Sequence, residues 1–486
     1  QAFYKNVAFQ PVWSGTRLGE LAQFMQELKY HGLDPRIFNY DAWNQAWMSP
    51  PPDATGRAEL DVGTTELALF IIDSLAYGYV TPTDVHEQWR PVSRKISSVE
   101  WLTDAMRQQP TSMRHFLLTN VPPSNRRYKK MVEFIREYEK HNQNGGWANL
   151  PTPTGPVNIG STYAGLDLLR ARLMAEGDLP RVDYSRGRKD VPTMDKLTSD
   201  ALRSFQFRHG IDTDGALGPM TLSELNKPVS ERIKTLVINL DRLRWLPRTY
   251  EQDEHIEVNI AEGALRVFEK GRRQTTMKVI VGVKGKHQTP VFRGDLSYLV
   301  FRPYWNVPKK IARDELVPHA LKDPQGYMAR NNYEITTGSS APMPNTVENL
   351  NKVAAGQLFM RQTTGPHNSL GLVKFIFPNS NAVYLHDTNK RHLFSATDRD
   401  FSHGCVRVSK PDELAYIVLR RNGGWDINKV NAAMEDGTNP NNKVNLKRHI
   451  PVYLLYWSSM IMGDDRVRFD QDIYGHDAVM KQKFGL

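Results

Sequence analysis

The chain has 486 residues, 40% hydrophobic and 24% charged, with 63 basic and 53 acidic residues giving a net charge of +10. That length predicts roughly three domains, each able to bury its own core. The composition excludes a helical membrane protein, since apolar runs such as residues 67–72, ended by Asp73, fall far short of the ~18 residues a span needs. The basic surplus is a weak electrostatic pull toward anionic surroundings. Without a dense Lys/Arg block or interleaved aromatics it does not indicate nucleic-acid binding. No signal peptide opens the chain, which starts at Gln1 rather than a methionine. A mature exported protein fits, and so does a fragment lacking its start, signal or anchor.

Residues 10–140 read as helical. Leu18, Leu21, Met25 and Leu28 recur at helical spacing and stop before Gly32. Further helices are predicted over 65–76 and over 128–140, where Met131, Phe134, Ile135 and Tyr138 share one side. No ligand constellation emerges, so residues 1–141 are expected to form a helical scaffold. Residues 142–228 form a compact unit. In it a short helix over 201–208 runs to Gly210, turns follow at Gly215 and Gly218, and a second helix starts at Met220. With Phe205-Gln206, that order resembles the peptidoglycan-binding domain found beside many cell-wall enzymes; a spacer of the same fold that binds nothing is the alternative. A linker helix within 229–251 places Leu236, Leu240 and Leu243 on one face. From residue 252 the texture changes to short β runs over 255–260, 265–268, 276–283, 298–301, 372–377 and 382–386. Between 311 and 362 the β pattern lapses into a polar, loop-rich stretch of about 50 residues, which points to an insertion or lid. A helix over 411–420, an apolar aromatic strand over 452–457 and a charged tail complete the expected domain, 252–486.

The only cysteine, Cys405, stands in Phe401-Ser402-His403-Gly404-Cys405-Val406-Arg407. A lone thiol forms no internal disulfide, so it packs, binds metal or reacts. A reactive thiol needs a base and amide donors for a developing oxyanion. His386, closing a strand, offers the base. Gly404 lets backbone and substrate approach closely, and Arg407 can favour the thiolate or hold a carboxylate. A buried structural cysteine is one rival. The other is zinc, for which His386, Asp387, His392, His403 and Cys405 could supply ligands, although their spacing matches no standard zinc signature. His209, His287, His319, His367 and His449 read as surface or structural histidines.

His386, a fifteen-residue spacer and then Ser402-His403-Gly404-Cys405 with Arg407 beyond resemble the signature of the L,D-transpeptidases, cysteine enzymes that remodel peptidoglycan. Supporting runs are Tyr304-Trp305-Asn306-Val307-Pro308, Gly365-Pro366-His367-Asn368 and Lys374-Phe375-Ile376-Phe377-Pro378-Asn379. With the helical N-terminal region and the peptidoglycan-binding-like unit, nearly the whole chain resembles the large periplasmic YcbB-type members of Gram-negative bacteria. The resemblance implies a multidomain α+β protein whose β-rich YkuD-type catalytic domain carries 311–362 as a capping subdomain. It implies Cys405 as nucleophile, His386 as general base, Gly404 and Cys405 amides as oxyanion hole and His403 shaping the pocket. Tyr384, on the same side of its strand as His386, would line the site with Arg407. Asp387 departs from the Gly or Ser several members have after the base; its carboxylate either orients the imidazole or points away while a backbone carbonyl does so.

The implied reaction is acyl transfer from a tetrapeptide stem to a neighbouring stem, giving 3→3 cross-links, with no metal or cofactor. Donor and acceptor stems are the expected partners, with cell-wall synthesis proteins as further candidates. The expected location is the periplasm, with an inner-membrane anchor in a longer chain left open. Carbapenem acylation is expected too. L,D-carboxypeptidase action, D-amino-acid exchange, a cysteine peptidase or amidase acting on ordinary protein, and a silent wall-binding scaffold are the alternatives.

Overall fold

The computed structural model describes residues 1–90, 96–107, 112–181, 193–338 and 341–486. It is a multidomain α+β protein, as the sequence predicts, and its chain divides into two compact units. One comprises Gln1–Glu251 with Tyr456–Leu486, the other Gln252–Leu455. No helix of the described residues is long and apolar enough to cross a membrane.

The first unit is helical. The helix expected over 65–76 is longer, Ala54–Tyr77, because Asp53 caps its start by accepting the Gly56 N–H. Its buried Asp61 accepts the Val12 and Trp13 N–H groups at 3.0 and 2.9 Å. Arg126–Gln143 is likewise capped by Asn125. A separate core built on Leu166, Leu169, Leu202, Phe205, Leu217 and Leu225 holds the region from Leu150 to Leu225 together. There Gln206 is fully buried; its amide donates to Asp214 and Ala216, and its oxygen accepts the Gly215 N–H. Gly210 and Gly215 take positive φ, but Gly218, expected to do the same, sits at φ −91° as the N-cap of the helix Pro219–Leu225.

Two expectations change here. The helix read as a linker, Val229–Arg244, is almost wholly buried. Its Asp241 accepts the Tyr79 and Val80 N–H groups, Asn239 reaches Ser458, and Arg242 pairs with Asp477 at 2.7 Å. The catalytic region was expected to run to residue 486, but Tyr456–Leu486 belongs to the helical unit, drawn there by the partners of Asn239 and Arg242.

The second unit is built on one sheet. Its strands are β1 (His255–Asn259), β2 (Ala264–Glu269), β3 (Arg272–Gly282), β4 (Phe292–Phe301), β5 (Trp305–Asn306), β6 (Tyr333–Thr336), β7 (Phe359–Gln362), β8 (Val373–Ile376), β9 (Leu385–His386), β10 (Asp400–Ser402), β11 (Val406–Val408) and β12 (Asn442–Leu455). Nine of them order as β10-β3-β11-β9-β8-β4-β12-β1-β2, and β2 also pairs with β3, so the ladder closes on itself and leaves few free edges. The helix expected over 411–420 is Pro411–Leu419.

The stretch expected to be loop-rich is folded. Strands β5, β7 and β6 form an antiparallel sheet, and short helices cover it around Ala320, Met328, Ile335, Leu350, Val353 and Met360. A π-turn at Ala312–Leu316 interrupts the helical run Lys309–Ala320, and the other helices have seven and eight residues, so no helical period registers. The fully buried Asn368 closes its neck, donating to the Pro303 and Thr363 carbonyls at 3.1 and 2.8 Å.

Candidate active site

Strands β9 and β11 run side by side and in parallel, with Val406 opposite Leu385 and Arg407 opposite His386. Residues in register share a face. Cys405 therefore lies beside Tyr384, and Arg407 beside His386, on one side of the sheet. The Tyr384 and His386 rings are 5.6 Å apart. The thiol points at the Ala382 carbonyl, 3.7 Å away. Ala382 holds φ at +53°, a left-handed conformation that costs a non-glycine residue energy. Asn379 enforces this turn, accepting the Asn381 and Val383 N–H groups and donating to the Phe377 and Val383 carbonyls. This is why the strand expected from 382 begins only at Leu385.

His386 is buried, and its Nδ1 lies 2.5 Å from the Asp387 backbone oxygen. A carbonyl only accepts, so Nδ1 carries the proton and Nε2 keeps its lone pair. The Asp387 carboxylate turns away: it accepts the Leu372 N–H and the Arg391 guanidinium at 2.9 and 2.8 Å. The backbone carbonyl thus orients the base. Asp387 lies with Arg391, Asp412 and Glu435 along a separate cavity of about 390 Å³.

Burial, then the Arg407 and Lys374 charges, push His386 down to about 3. Burial pushes the Cys405 thiol up to about 11, against hydrogen bonds from the backbone and phenol of Tyr384 and the Arg407 charge. At neutral pH the resting pair is a neutral thiol and a neutral imidazole.

The loop before Cys405 is braced from both sides. Gly404 has φ of +108°, open to glycine alone. Its carbonyl accepts from the buried Thr289 hydroxyl at 2.9 Å, and Thr289 in turn accepts the Gly282 N–H. The Ser402 hydroxyl donates to the Cys405 carbonyl and accepts the Gly404 N–H at 3.1 Å. This corrects one expectation: the Gly404 amide is occupied by Ser402 and is not free for an oxyanion.

His403 points away from the base. It pairs with Glu315 of the inserted subdomain at 2.9 Å and lies 4.7 Å from the His287 ring. Glu315 comes from a π-turn over Ala312–Leu316. Among the described residues, His287, Glu315 and His403 are the group whose ligand atoms lie close enough, within 4.8 Å, to hold a metal. Lys286 and Lys310 add positive charge there and, after burial and His403, hold His287 below its ordinary value. The cluster of His386, Asp387, His392, His403 and Cys405 does not form such a group among the described residues. Sequence reading missed Lys374, Ala382, Thr289 and Glu315. None carried a local signal: Lys374 stands between the buried Val373 and Phe375 of its strand.

Residues 253–453 match the model of the YkuD L,D-transpeptidase catalytic domain, and residues 1–134 match a scaffold domain. The β-rich unit is thus the part of the chain that matches this catalytic domain. A candidate L,D-transpeptidase of Haemophilus influenzae is 33% identical over 243 residues, 50% of this chain and 48% of the relative. The chain thus matches about half the length of that curated relative. Two crystal structures are also similar. An L,D-transpeptidase of Xylanimonas cellulosilytica has 17% identity over 63% of this chain and 99% of its own, with a TM-score of 0.19. One of Stackebrandtia nassauensis has 14% identity over 63% and 97%, with a TM-score of 0.22.

Proposed function

We propose that the chain forms 3→3 cross-links between meso-diaminopimelate residues of peptidoglycan stems, through a thioester on Cys405, in the periplasm of a Gram-negative bacterium. The observation that carries this reading is the Cys405–Tyr384 and Arg407–His386 register, with the imidazole held by a backbone carbonyl so that Nε2 is the basic nitrogen.

His386 Nε2 takes the thiol proton as sulfur attacks the diaminopimelate carbonyl of a donor tetrapeptide. The S–C bond forms, and the oxyanion is held by the Cys405 N–H. The C–N bond then breaks, and the same proton passes to the departing D-alanine amine. A side-chain amine of a second stem attacks the thioester, loses its proton to His386, and the thiol is restored. The folded insertion, joined to the loop through Glu315 and His403, is assigned the capping role, excluding water that would otherwise hydrolyse the thioester. Carbapenems are expected to acylate Cys405 by the same attack.

Incubation with disaccharide–tetrapeptide and mass analysis of the products tests the reading. Loss of D-alanine with dimer formation is expected. Loss without dimer would indicate a carboxypeptidase, and no reaction, or carbapenem labelling that survives Cys405→Ala, would refute it.

A further inference from the structure

Three side chains on neighbouring strands stand in one row across the site. Lys374 of β8 and Arg407 of β11 are both register partners of His386 on β9, so two cations flank the imidazole on its own face. Among the described residues no carboxylate acts on either the Lys374 ammonium or the Arg407 guanidinium. Arg391 and Arg361 of the same unit, by contrast, are paired, with Asp387 and Glu334. A half-buried cation without a counter-ion is costly, and a ligand carboxylate relieves that cost.

The row has a direction. Strand β8 lies on the side of β9 away from Cys405, with neighbouring strands about 4.8 Å apart. In the proposed reaction the acyl carbon sits on Cys405 and the departing amine at His386. The α-carboxylate of the leaving D-alanine is two bonds beyond that nitrogen, on the Lys374 side. The entering amine, at the D-centre of meso-diaminopimelate, bears a carboxylate on the same carbon. We propose that Lys374, with Arg407 beside it, forms a carboxylate subsite that holds the α-carboxylate of the D-amino acid unit leaving the donor and then of the one entering as acceptor. This rests on the function proposed above. Docking of that carboxylate also offsets the two charges that, after burial, weaken His386, so the base strengthens when the correct unit is bound.

Because Cys405 is the only cysteine, alkylation reads this subsite without any transfer reaction. The intact chain is treated with iodoacetate and with iodoacetamide at one pH, and the ratio of their rate constants is compared with that of the urea-unfolded chain. The folded chain is expected to favour iodoacetate, with the ratio falling about three- to tenfold in Lys374→Met and persisting in Lys374→Arg. A ratio unchanged in Lys374→Met overturns the proposal. If that variant does not fold, wild-type protection decides: D-alanine should slow iodoacetamide labelling and D-alaninamide should not, and equal effects overturn the proposal. Tetrapeptides amidated at the terminal D-alanine, or at the free diaminopimelate carboxylate in the acceptor, separate the leaving from the entering unit. An anion preference without turnover of any stem would sink the proposed function and leave the subsite standing.

Discussion

A neutral resting pair has a measurable signature in the pH dependence of Cys405 alkylation. With the thiol at about 11, the thiolate fraction at pH 8 is about one in a thousand, against about one in four for an ordinary thiol near 8.5. That difference alone slows iodoacetamide about 200-fold. The greater intrinsic nucleophilicity of a high-pKa thiolate returns about tenfold, leaving a net slowing of about 20-fold. The urea-unfolded chain is the reference, since it offers the same single thiol. Because His386 titrates near 3, no inflection is expected between pH 5 and 9, and the rate should rise about tenfold per unit throughout. Both shifts favour the neutral forms of the resting pair, so proton transfer accompanies attack on bound substrate. Mass spectrometry of the labelled chain follows the rate. A plateau below pH 7 would mean a preformed ion pair and would refute this reasoning.

Thr289→Val keeps the shape of a fully buried side chain but deletes its hydroxyl, which joins the Gly404 carbonyl to the Gly282 N–H. About tenfold or more should be lost from kcat/KM for D-alanine release, and full activity would show that this brace is dispensable. In the helical unit, Asp178 is buried and binds Arg208 and Arg466. Asp178→Ala should cost about 3–5 kcal/mol in urea unfolding followed by tryptophan fluorescence; a loss below 1 kcal/mol would contradict that. Burial holds His31 down to about 3 and His86 to about 2, and His209 well below its ordinary value. They stay neutral in the fold but take up protons in the unfolded chain near 6.5. Their contribution is full above that value and shrinks as pH falls. Each should remove about 2 kcal/mol between pH 7.5 and 5, and a flat urea midpoint over that window would show that they are not buried as neutral groups.

How much was legible from sequence depended on how local the cause was. Strand alternation located β1 through β4 and β8, and the spacing from His386 to Cys405 pointed to the site before any coordinates. The orienting group of the base could not be read, because a backbone carbonyl has no residue code; Asp387 occupies the position while its carboxylate serves Leu372 and Arg391. The occupied Gly404 amide escaped for a related reason. Ser402 was visible, but the direction of its hydroxyl depends on the Cys405 carbonyl that the turn brings round. Lys374 looked like an ordinary strand lysine until the register set it beside His386. The lapse of β pattern marked 311–362 as an insertion, but its own elements did not show, because a π-turn interrupts Lys309–Ala320 and the remaining helices are short.

The return of Tyr456–Leu486 to the helical unit sets an order of events during synthesis. The residues that Asn239 and Arg242 need, Ser458 and Asp477, leave the ribosome after the whole catalytic sheet. At some 5–20 residues per second, the scaffold waits on the order of ten seconds or more with its central helix unsealed, whereas the sheet can close once β12 emerges. A premature stop shortly after Leu455 would spare every residue of the candidate site and leave the scaffold incomplete. Nonsense lesions there should mark the protein for proteolysis through its helical half.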